Sequence, residues 1–374
     1  MTTHKKILIL TAPFGSGHLQ VSNALVKEFN KHENIIVEEY DLYSEEFPIL
    51  SKTIQKAYLN TYKPIGKDIY RMLYYGSNHI GHDTIYAKLL KPTLEFGANS
   101  LQKKIKTFNP DLIIDVFPVT SLYKLQKKNF NIPVYTVITD YYANGLWLYN
   151  EAVRHYISTH RITAWGVANG LKASQFKLTG IPIHEKFYQK LDKDLIYEKY
   201  KLNKEKRNVL IAAGAHGVLP RVADITTTLL ELSEFQVIVV CGKNEQLFNE
   251  LKQIQVNHKN LFLIGFTNEM HELLEIADLM ITKPGGISLT EAAIKTVPVL
   301  LYNPVYGQEL ENAKYFSEKQ AGVIVSNKTD LIYHLVVILS EEEVLEKMKN
   351  NMRKIAQEFS ARQIVEDILK DGEY

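Results

Sequence analysis

The sequence has 374 residues, more than one typical hydrophobic core requires, so two domains are expected. A net charge of +2, with 23% charged and 45% hydrophobic residues, is typical of an ordinary globular protein and gives no indication of nucleic-acid binding. Cys241 is the single cysteine, which excludes a disulfide framework and suits the reducing cytoplasm. Because no apolar run approaches the roughly 18 residues of a membrane-spanning helix, we expect a cytoplasmic protein.

The first half of the chain alternates short apolar runs with helical patterns. Strands are predicted at Lys6–Thr11, Ile35–Tyr40, Asp111–Val116, Val134–Thr139 and His155–Thr159. The first helix is predicted at Leu19–Asn30. Continuous apolar strands between helices are typical of a parallel sheet that is covered on both faces. Residues 185–206 are charged and lack this pattern, so they are predicted to form a linker near the end of a first domain of residues 1–190.

A glycine-containing turn follows the first predicted strand. Gly15 and Gly17 precede His18 at the expected start of the helix. Such a turn brings backbone N–H groups and the positive end of the helix dipole close to an anionic ligand. The same dipole disfavours an imidazolium, so His18 should be neutral near pH 7 and able to accept a proton from an attacking hydroxyl. A capping or structural histidine is the alternative.

Residues 51–91 contain no clear strand and are locally basic. The segment contains seven Lys and Arg residues and two Asp, a local net charge of +5, and six Tyr are interleaved with the basic residues. This combination suits an anionic membrane surface. The alternative is a solvated helical face whose tyrosines pack on the core. The residues predicted to contact the membrane are Lys52, Lys56, Lys63, Lys67 and Arg71.

The second half repeats the alternation of strands and helices. Strands are predicted at Asn208–Ala213, Gln236–Cys241, Asn260–Ile264, Leu279–Thr282, Val299–Tyr302 and Gly322–Val325. A second domain is therefore assigned to residues 205–345. Glu341–Leu369 is predicted to be helical, and residues 346–374 are predicted to pack back toward the first domain.

Two glycine turns in the second half can bind a diphosphate. Each follows a predicted strand, and after the second turn a helix is predicted to begin at Ile287 or Ser288. The N–H groups and dipole at a helix start favour phosphate, and glycine lets the backbone approach it. The residues of these turns are Gly214, Lys283, Gly285, Gly286 and Ile287. Glu291, about one turn into the helix, can accept hydrogen bonds from a ribose diol. A plain strand-to-helix turn is the alternative.

Two further segments follow strands and carry side chains suited to a nucleotide sugar. Polar residues near a helix start can reach hexose hydroxyls, and an aromatic side chain can flank a flat base. The first group is Gln308, Glu309 and Asn312, and the second is Phe266, Thr267 and Met270. Helix capping is the alternative for the first group, and core packing is the alternative for the second.

No metal site is predicted. Asp192 and Asp194 are spaced like an acidic metal-binding pair, but they lie in the predicted linker and not at a strand end. His79 and His82 have ligand-like spacing, yet Gly81 interrupts any helix between them and nothing nearby completes a set of ligands.

Five motifs resemble those of the diacylglycerol glycosyltransferases. They are FGSGH at Phe14–His18, TDY at Thr139–Tyr141 with Trp147, TGIPI at Thr179–Ile183, KPGG with Glu291, and GQE with Asn312. That family includes processive bacterial glucosyltransferases and plant galactolipid synthases. The chain more distantly resembles the transferase that adds N-acetylglucosamine to lipid-linked peptidoglycan precursor. The resemblance implies the GT-B architecture of glycosyltransferase family 28, an α/β fold of two Rossmann-like, doubly wound parallel-sheet domains facing a cleft.

The resemblance also implies a reaction. A hexose, with glucose expected first, passes with inversion from a UDP-hexose to the hydroxyl of diacylglycerol, and repeated addition would make the enzyme processive. The product is membrane glycolipid, so the enzyme is expected to be peripheral on the anionic, cytoplasmic face of the cell membrane. The UDP-sugar is a substrate, and no cofactor is expected.

The roles that the resemblance implies fall on motif residues of this chain. They are Gly285, Gly286 and the helix start for the diphosphate, Glu291 for ribose, Phe266, Thr267 and Met270 for uracil, Gln308 and Glu309 for the sugar, His18 for the reaction centre, and Gly15, Gly17 and Asp140 for the acceptor side.

Three positions depart from the family pattern. Asn144 stands where bacterial relatives have a His after the TD motif, Tyr306 where they often have Pro, and His216 where an aromatic residue is usual. The first departure concerns the acceptor and leaves the donor residues unchanged. Two alternatives therefore stay open, namely transfer to another lipid-linked acceptor and a weakly catalytic UDP-sugar sensor that binds a protein partner.

Overall fold

The computed structural model describes residues 4–13, 17–53, 71, 74–76, 94–128, 130–215, 217, 219–232 and 234–371. It divides into two compact units. The first contains Met1–His184, Tyr306–Gln308 and Glu358–Tyr374, and the second contains Glu185–Val305 and Glu309–Gln357. Within the described ranges, each unit contains one six-stranded parallel sheet together with its helices.

The sheet of the first unit has the strand order β2-β1-β3-β4-β5-β6. Its strands are β1 Lys5–Thr11, β2 Ile35–Asp41, β3 Leu112–Asp115, β4 Val134–Val137, β5 Arg154–Ile157 and β6 Phe176–Leu178. The five predicted strands are confirmed, with ends that differ by one or two residues. Strand β6 was missed because its three partly exposed residues carry no buried apolar run.

The sheet of the second unit has the order β12-β11-β10-β7-β8-β9. Its strands are β7 Arg207–Ala212, β8 Phe235–Val240, β9 Leu261–Ile264, β10 Leu279–Thr282, β11 Val299–Tyr302 and β12 Gly322–Val325. All six predicted strands are confirmed. Most of their residues are buried, as expected for parallel strands between layers of helices.

The helices of the described residues follow the strands in alternation. They are α1 Gly17–Phe29, α2 Leu42–Glu46, α3 Ala98–Phe108, α4 Ser121–Gln126, α5 His160–Ala168, α6 Lys193–Tyr200, α7 Val222–Glu231, α8 Glu245–Gln255, α9 Met270–Ile276, α10 Gly286–Ile294, α11 Gln308–Glu318, α12 Lys328–Ser340, α13 Glu342–Ile355 and α14 Ser360–Asp371. None of these described helices has both the length and the apolar character needed to cross a bilayer.

The strand orders identify where a ligand can bind in each unit. In the first sheet the order reverses between β1 and β3, and in the second it reverses between β7 and β10. Ligands of open parallel sheets bind outside the carboxyl ends of the strands at such a switch point, because the loops diverge there. The predicted glycine motifs follow β1, β7 and β10, and α1 and α10 begin after β1 and β10.

The last helix belongs to the first unit. One face of α14 is fully buried at Ala361, Ile364, Val365 and Ile368, the spacing of an amphipathic helix, and α14 packs against α1. The predicted C-terminal segment, 346–374, is thus divided, because α13 belongs to the second unit and packs against α10 and α12.

Residues 185–206, predicted to be a linker, belong largely to folded structure of the second unit. They contain a short 3-10 turn, Glu185–Tyr188, and α6. Asp192 is the N-cap residue of α6, where its carboxylate accepts a hydrogen bond from the Asp194 N–H at 2.9 Å. The Asp194 carboxylate pairs with Lys204 at 2.6 Å. The acidic pair therefore starts a helix, as is common for Asp.

Candidate donor and acceptor sites

His18 is held by backbone and aromatic groups at the start of α1. Its Nδ1 lies 2.8 Å from the carbonyl oxygen of Val116 and 3.2 Å from the Thr139 hydroxyl. A carbonyl can only accept, so Nδ1 carries the proton and Nε2 is the unprotonated nitrogen. The Phe117 ring meets the imidazole edge-on with centroids 5.0 Å apart. The geometry thus fixes the tautomer in which Nε2 is unprotonated.

Burial lowers the pKa of His18 from its ordinary value to about 4, and the hydrogen bond to the Val116 carbonyl acts in the opposite direction. The ring is therefore neutral at pH 7, as the sequence predicted. The helix dipole was the predicted reason, whereas desolvation is the main cause in the structure.

The contacts of His18 come from the carboxyl ends of β3 and β4. Val116 and Phe117 follow β3 directly, and Thr139 follows β4. Sequence analysis missed both residues. Val116 acts through its backbone carbonyl, which has no sequence signature, and the Phe117 ring contacts His18 from 99 residues away in the sequence. Their position beside the β1–β3 switch point is the signal that could have identified them.

Asn144 has a structural role that the sequence did not reveal. Its side-chain oxygen accepts a hydrogen bond from the Leu146 N–H at 3.2 Å and so caps the 3-10 turn Gly145–Leu148. That turn contains Trp147, whose ring centroid lies 6.1 Å from that of His18. Asp140, predicted on the acceptor side, is buried, and its carbonyl accepts from the Ser158 hydroxyl at 2.6 Å. Gly15 lies outside the described residues, and Gly17 begins α1.

In the second unit, the loops after β7 and β8 pack against each other through glycines. Gly214 has φ +83°, and a Cβ there would lie 3.2 Å from Cε of Lys283. Gly242 has φ +61°, and a Cβ there would lie 2.4 Å from the Gly214 carbonyl oxygen. The predicted turn at Gly214 is therefore close to the KPGG turn after β10, as the strand order requires.

The KPGG turn ends in the start of α10. Gly285 is the N-cap residue and Gly286 is the first helical residue, one or two positions before the predicted start at Ile287 or Ser288. A Cβ on Gly285 would meet no heavy atom within 4 Å, so the space in front of the turn is open. The first N–H groups of a helix have no partner within it, and together with the dipole they favour a phosphate.

Glu291 is buried one turn beyond this helix start. It is 9% exposed, and burial raises the pKa of its carboxyl to about 8, while the positive charge of Lys186 acts in the opposite direction. Without a ligand, Glu291 is therefore largely protonated at pH 7. Lys186 also donates a hydrogen bond to the Asn268 carbonyl in the loop after β9. Sequence analysis missed Lys186 because it lies in the predicted linker.

The start of α11 is tied to the KPGG turn. The Lys283 Nζ lies 3.5 Å from Oε1 of Glu309, whose other oxygen accepts from the Val305 N–H at 3.3 Å. Asn312 is fully buried, and its amide donates to the Pro284 carbonyl at 3.1 Å. Asn312 therefore supports the turn from behind. Direct contact with a sugar remains a prediction for Glu309 and for the half-buried Gln308.

The segment after β9 presents an exposed aromatic ring. Phe266 is 56% exposed, so core packing is not its role, and the Lys243 Nζ lies 5.4 Å from the centre of its ring. Thr267 accepts a hydrogen bond from the Glu269 N–H at 2.9 Å, and Met270 begins α9. The exposed Phe266 ring is available for the predicted contact with uracil. For Thr267 and Met270 this contact remains a prediction.

One group in the described part of the chain has the spacing of metal ligands. It comprises Glu269, His271 and Glu272, whose ligand atoms lie within 4.8 Å of one another. The Glu272 carboxylate already pairs with Lys199 at 2.6 Å and accepts from the Tyr200 hydroxyl at 2.9 Å. Both partners bind Oε2, so the Glu272 charge is already paired without an ion, and we assign the group no metal role. His79 and His82 lie outside the described residues.

The predicted membrane contact lies mostly outside the described residues. Lys56, Lys63 and Lys67 fall in 54–70, whereas Lys52 and Arg71 are described and exposed. His216 of the second glycine loop is likewise outside the described residues.

Comparisons with known proteins identify the family. Residues 18–183 match the model of monogalactosyldiacylglycerol (MGDG) synthase, and residues 208–369 match that of the glycosyltransferase family 28 C-terminal domain. The chain is 39% identical over 378 residues to the processive diacylglycerol beta-glucosyltransferase of Bacillus pumilus, with 100% of this chain and 97% of that protein covered. This chain belongs to the diacylglycerol glycosyltransferase family. This glycosyltransferase is also 38% identical over 380 residues to the Bacillus licheniformis protein of the same name, with 100% of this chain and 97% of that protein covered.

Solved structures confirm the GT-B fold of this diacylglycerol glycosyltransferase. S. aureus MnaA with UDP has a TM-score of 0.65 at 16% identity, covering 97% of this chain and 96% of that one. Neisseria meningitidis UDP-GlcNAc 2-epimerase bound to UDP-GlcNAc gives 0.64 at 15% identity, with 98% and 100% coverage. Acinetobacter baumannii MurG gives 0.60 at 18% identity, with 98% and 99% coverage. At these identities the likeness concerns the fold alone.

Proposed function

We propose that this glycosyltransferase transfers a hexose, glucose in the first place, from a UDP-sugar to the free hydroxyl of diacylglycerol, with inversion at the anomeric carbon and repeated addition. The observation that carries the proposal is His18, a neutral imidazole whose Nδ1–H donates to the Val116 carbonyl and whose Nε2 is unprotonated. The names of the relatives that match along the whole chain support the choice of acceptor.

On the acceptor side, Nε2 of His18 takes the hydroxyl proton as the new glycosidic bond forms. A base with a pKa of about 4 is too weak to ionise a free alcohol. The attacking oxygen becomes strongly acidic once it is bonded to the anomeric carbon, so proton transfer late in the reaction needs only a weak base. The resulting imidazolium then passes its proton to solvent.

On the donor side, the start of α10 holds the diphosphate. Fixed N–H groups at Gly286 and Ile287 and the ammonium of Lys283 stabilise the negative charge that develops on the departing UDP. Glu291 accepts hydrogen bonds from the ribose hydroxyls, and the exposed ring of Phe266 stacks on uracil. These assignments use residues of the second unit alone.

A product assay tests the proposal. The protein is incubated with UDP-glucose or UDP-galactose and vesicles that contain diacylglycerol, and lipids are analysed by mass spectrometry and NMR. We expect a β-linked glucolipid, which shows inversion because the donor is the α-anomer, followed by products with two or more sugars. If the protein binds UDP-glucose but forms no glycolipid, the UDP-sugar sensor replaces this proposal. Labelling of a different lipid-linked acceptor would instead correct the substrate.

Diacylglycerol is nearly insoluble in water, so we propose that the enzyme works as a peripheral protein at the anionic cytoplasmic membrane surface. Each Lys or Arg near such a surface contributes about 1 kcal/mol, and the attraction decays within a Debye length. Replacing the five basic residues Lys52, Lys56, Lys63, Lys67 and Arg71 with Gln should abolish co-sedimentation with anionic vesicles and leave UDP affinity unchanged. Sedimentation like that of the wild type would assign membrane binding to another part of the chain.

A further inference from the structure

The turn after β3 provides two of the contacts that hold His18. Residues 116–119 form this turn, which we call the β3 turn. The Val116 carbonyl accepts the Nδ1–H of His18, and the Phe117 ring borders the imidazole. The Val116 N–H is itself bonded to the Leu10 carbonyl at 3.0 Å, which continues the sheet by one residue. The position of His18 therefore depends on the position of this turn.

Two buried side chains fix the β3 turn. The carboxylate of Asp115, the last residue of β3, accepts a hydrogen bond from the Val119 N–H at 3.4 Å, and the backbone of Phe117 also lowers the pKa of this carboxyl. Asn150 donates from Nδ2 to Asp115 at 2.9 Å and to the Val119 carbonyl at 3.1 Å. The Asn150 oxygen accepts from the Tyr123 N–H at 3.1 Å, which fixes the orientation of its amide. The pair thus binds both ends of the turn.

The burial of this pair is costly, so the pair requires an explanation. Asp115 is 1% exposed and Asn150 is 4% exposed. Burial raises the pKa of Asp115 to about 7, although the bonds from Asn150 and the turn lower it. The charge of Asp115 also acts on Tyr43, whose pKa is raised by burial and by the charges of Asp115 and Asp41. An apolar pair would avoid the desolvation of a carboxylate, but it could not bind the N–H groups of the turn.

We propose that Asp115 and Asn150 are positioning residues for His18, which act by fixing the β3 turn so that the Val116 carbonyl holds the imidazole in its Nδ1–H tautomer. The inference rests on the proposed function insofar as it takes His18 to be the base. It predicts that loosening the turn impairs proton transfer to Nε2 and leaves donor binding intact, because the residues proposed to bind UDP belong to the second unit and none of the donor residues lies in the β3 turn.

Asp115→Asn is the first variant, because it preserves shape and removes the second acceptor oxygen. Its amide must place an NH2 group against either the Asn150 NH2 or the N–H groups of the turn, so one donor faces another. Asn150→Ala loosens the turn from the other side. We expect each variant to lower kcat by about 10- to 100-fold, the effect of a small displacement of a reacting group, with UDP-glucose affinity within about twofold of wild type. The kcat of the double variant should be no lower than that of the more impaired single variant, because both substitutions act on the same turn.

Tyr156→Phe is the matched control. It removes a buried hydrogen bond in the same unit, from the Tyr156 hydroxyl to Asp367 at 2.8 Å, which involves no residue of the β3 turn. It should lower the unfolding temperature and keep kcat. If Asp115→Asn and Asn150→Ala behave like Tyr156→Phe, with lower stability and unchanged kcat, the pair is only structural and the proposal is overturned.

Nitrogen-15 NMR of His18 separates this inference from the proposed function. Histidine in water favours the Nε2–H tautomer, so the wild type should show the less common Nδ1–H form and Asp115→Asn should shift the population toward Nε2–H. This arm needs no substrate. If the wild type transfers no sugar, the proposed function fails while the NMR result still decides the positioning role. An unchanged tautomer in both single variants would contradict that role.

Discussion

His18 and Glu291 show how burial can determine the charge of a site residue even where a neighbouring group acts in the opposite direction. Desolvation lowers the pKa of His18 to about 4 and raises that of Glu291 to about 8. Both shifts favour the neutral form, because a charged group is less stable away from water. At pH 7 each unit therefore presents one neutral titratable group at a glycine-containing helix start, and each can gain or lose a proton when a ligand arrives.

His18→Ala should reduce turnover by about 10² to 10⁴-fold, the usual effect of losing a general base. UDP-glucose affinity should stay unchanged, because His18 belongs to the first unit and the proposed nucleotide contacts belong to the second. With UDP-glucose at saturation, the wild-type kcat should stay level near pH 6.5 and fall as the pH drops toward 4, where the His18 ring becomes charged. Steady-state rates across pH and calorimetric titration of UDP-glucose measure both effects. Turnover above a tenth of the wild-type value would exclude His18 as the base.

Glu291 should make donor binding depend on pH. With a pKa of about 8 the free carboxyl is protonated below that pH, and a ribose diol that donates two hydrogen bonds favours the ionised form. The affinity for UDP-glucose should therefore weaken by up to about tenfold for each pH unit below 8, equivalent to about 1.4 kcal/mol. Binding should release a proton, which calorimetry in two buffers detects.

Glu291→Gln is the control for that dependence. It should bind more weakly and with an affinity that is flat between pH 6 and 8. UDP-glucose is the right ligand because, unlike UDP, its diphosphate does not titrate in this range. A wild-type affinity that is equally flat would show that Glu291 binds the ribose in its protonated form or not at all.

At the scale of elements, the sequence predicted strands better than helix ends. Strands β10, β11 and β12 have the predicted bounds, because a buried parallel strand is a short apolar run with abrupt ends. The break between α13 and α14 was missed, since residues 356–359 contain neither Gly nor Pro. The glycine turns of the site were predicted for the same local reason. The hydrogen bond from Asn150 to Asp115 was not predicted, because it joins residues that are 35 positions apart in the sequence.

The contact of α14 with the first sheet depends on Asp367. Its carboxylate pairs with Arg154 and Lys177 and accepts from the Tyr156 hydroxyl at 2.8 Å. Burial would raise the pKa of Asp367, but these partners lower it below its usual value. Asp367→Asn should cost about 1–3 kcal/mol in the free energy of unfolding at pH 7.

That cost should itself depend on pH. A carboxyl with a lowered pKa in the folded state stabilises above its unfolded pKa of about 3.9, and this stability disappears as pH falls through the folded value. The urea unfolding midpoints of the wild type and Asp367→Asn should therefore begin to converge as the pH falls below about 4 and coincide only below the folded pKa of Asp367. Equal stabilities at pH 7 would show that solvent screening cancels the network, as for many surface pairs.

At the scale of the molecule, α14 is the only described element after residue 308 that belongs to the first unit. A chain that ends after Gln357 lacks it and exposes the apolar surface that α14 covers. The buried side chains Ile364, Val365 and Ile368 each contribute about 1.5–3 kcal/mol, which together approach the whole stability of a typical domain. We expect the variant that ends after Gln357 to give little soluble protein. A variant that ends after Asp371 should match the wild type in solubility and in its urea midpoint. Equal urea midpoints for the two chains would contradict the assignment of α14.

The place of α14 also determines the order of events during synthesis. The strands of the first sheet are complete at Leu178, but the helix that packs on α1 begins at Ser360. At about 5–20 residues per second, a ribosome needs roughly 10–40 s to cover that interval. The second unit is synthesised during this interval, so it can fold before α14, the last helix of the first unit, has left the ribosome. Chains that stop early, including those from damaged messages, therefore lack a finished first unit and are exposed to proteolysis before they can act.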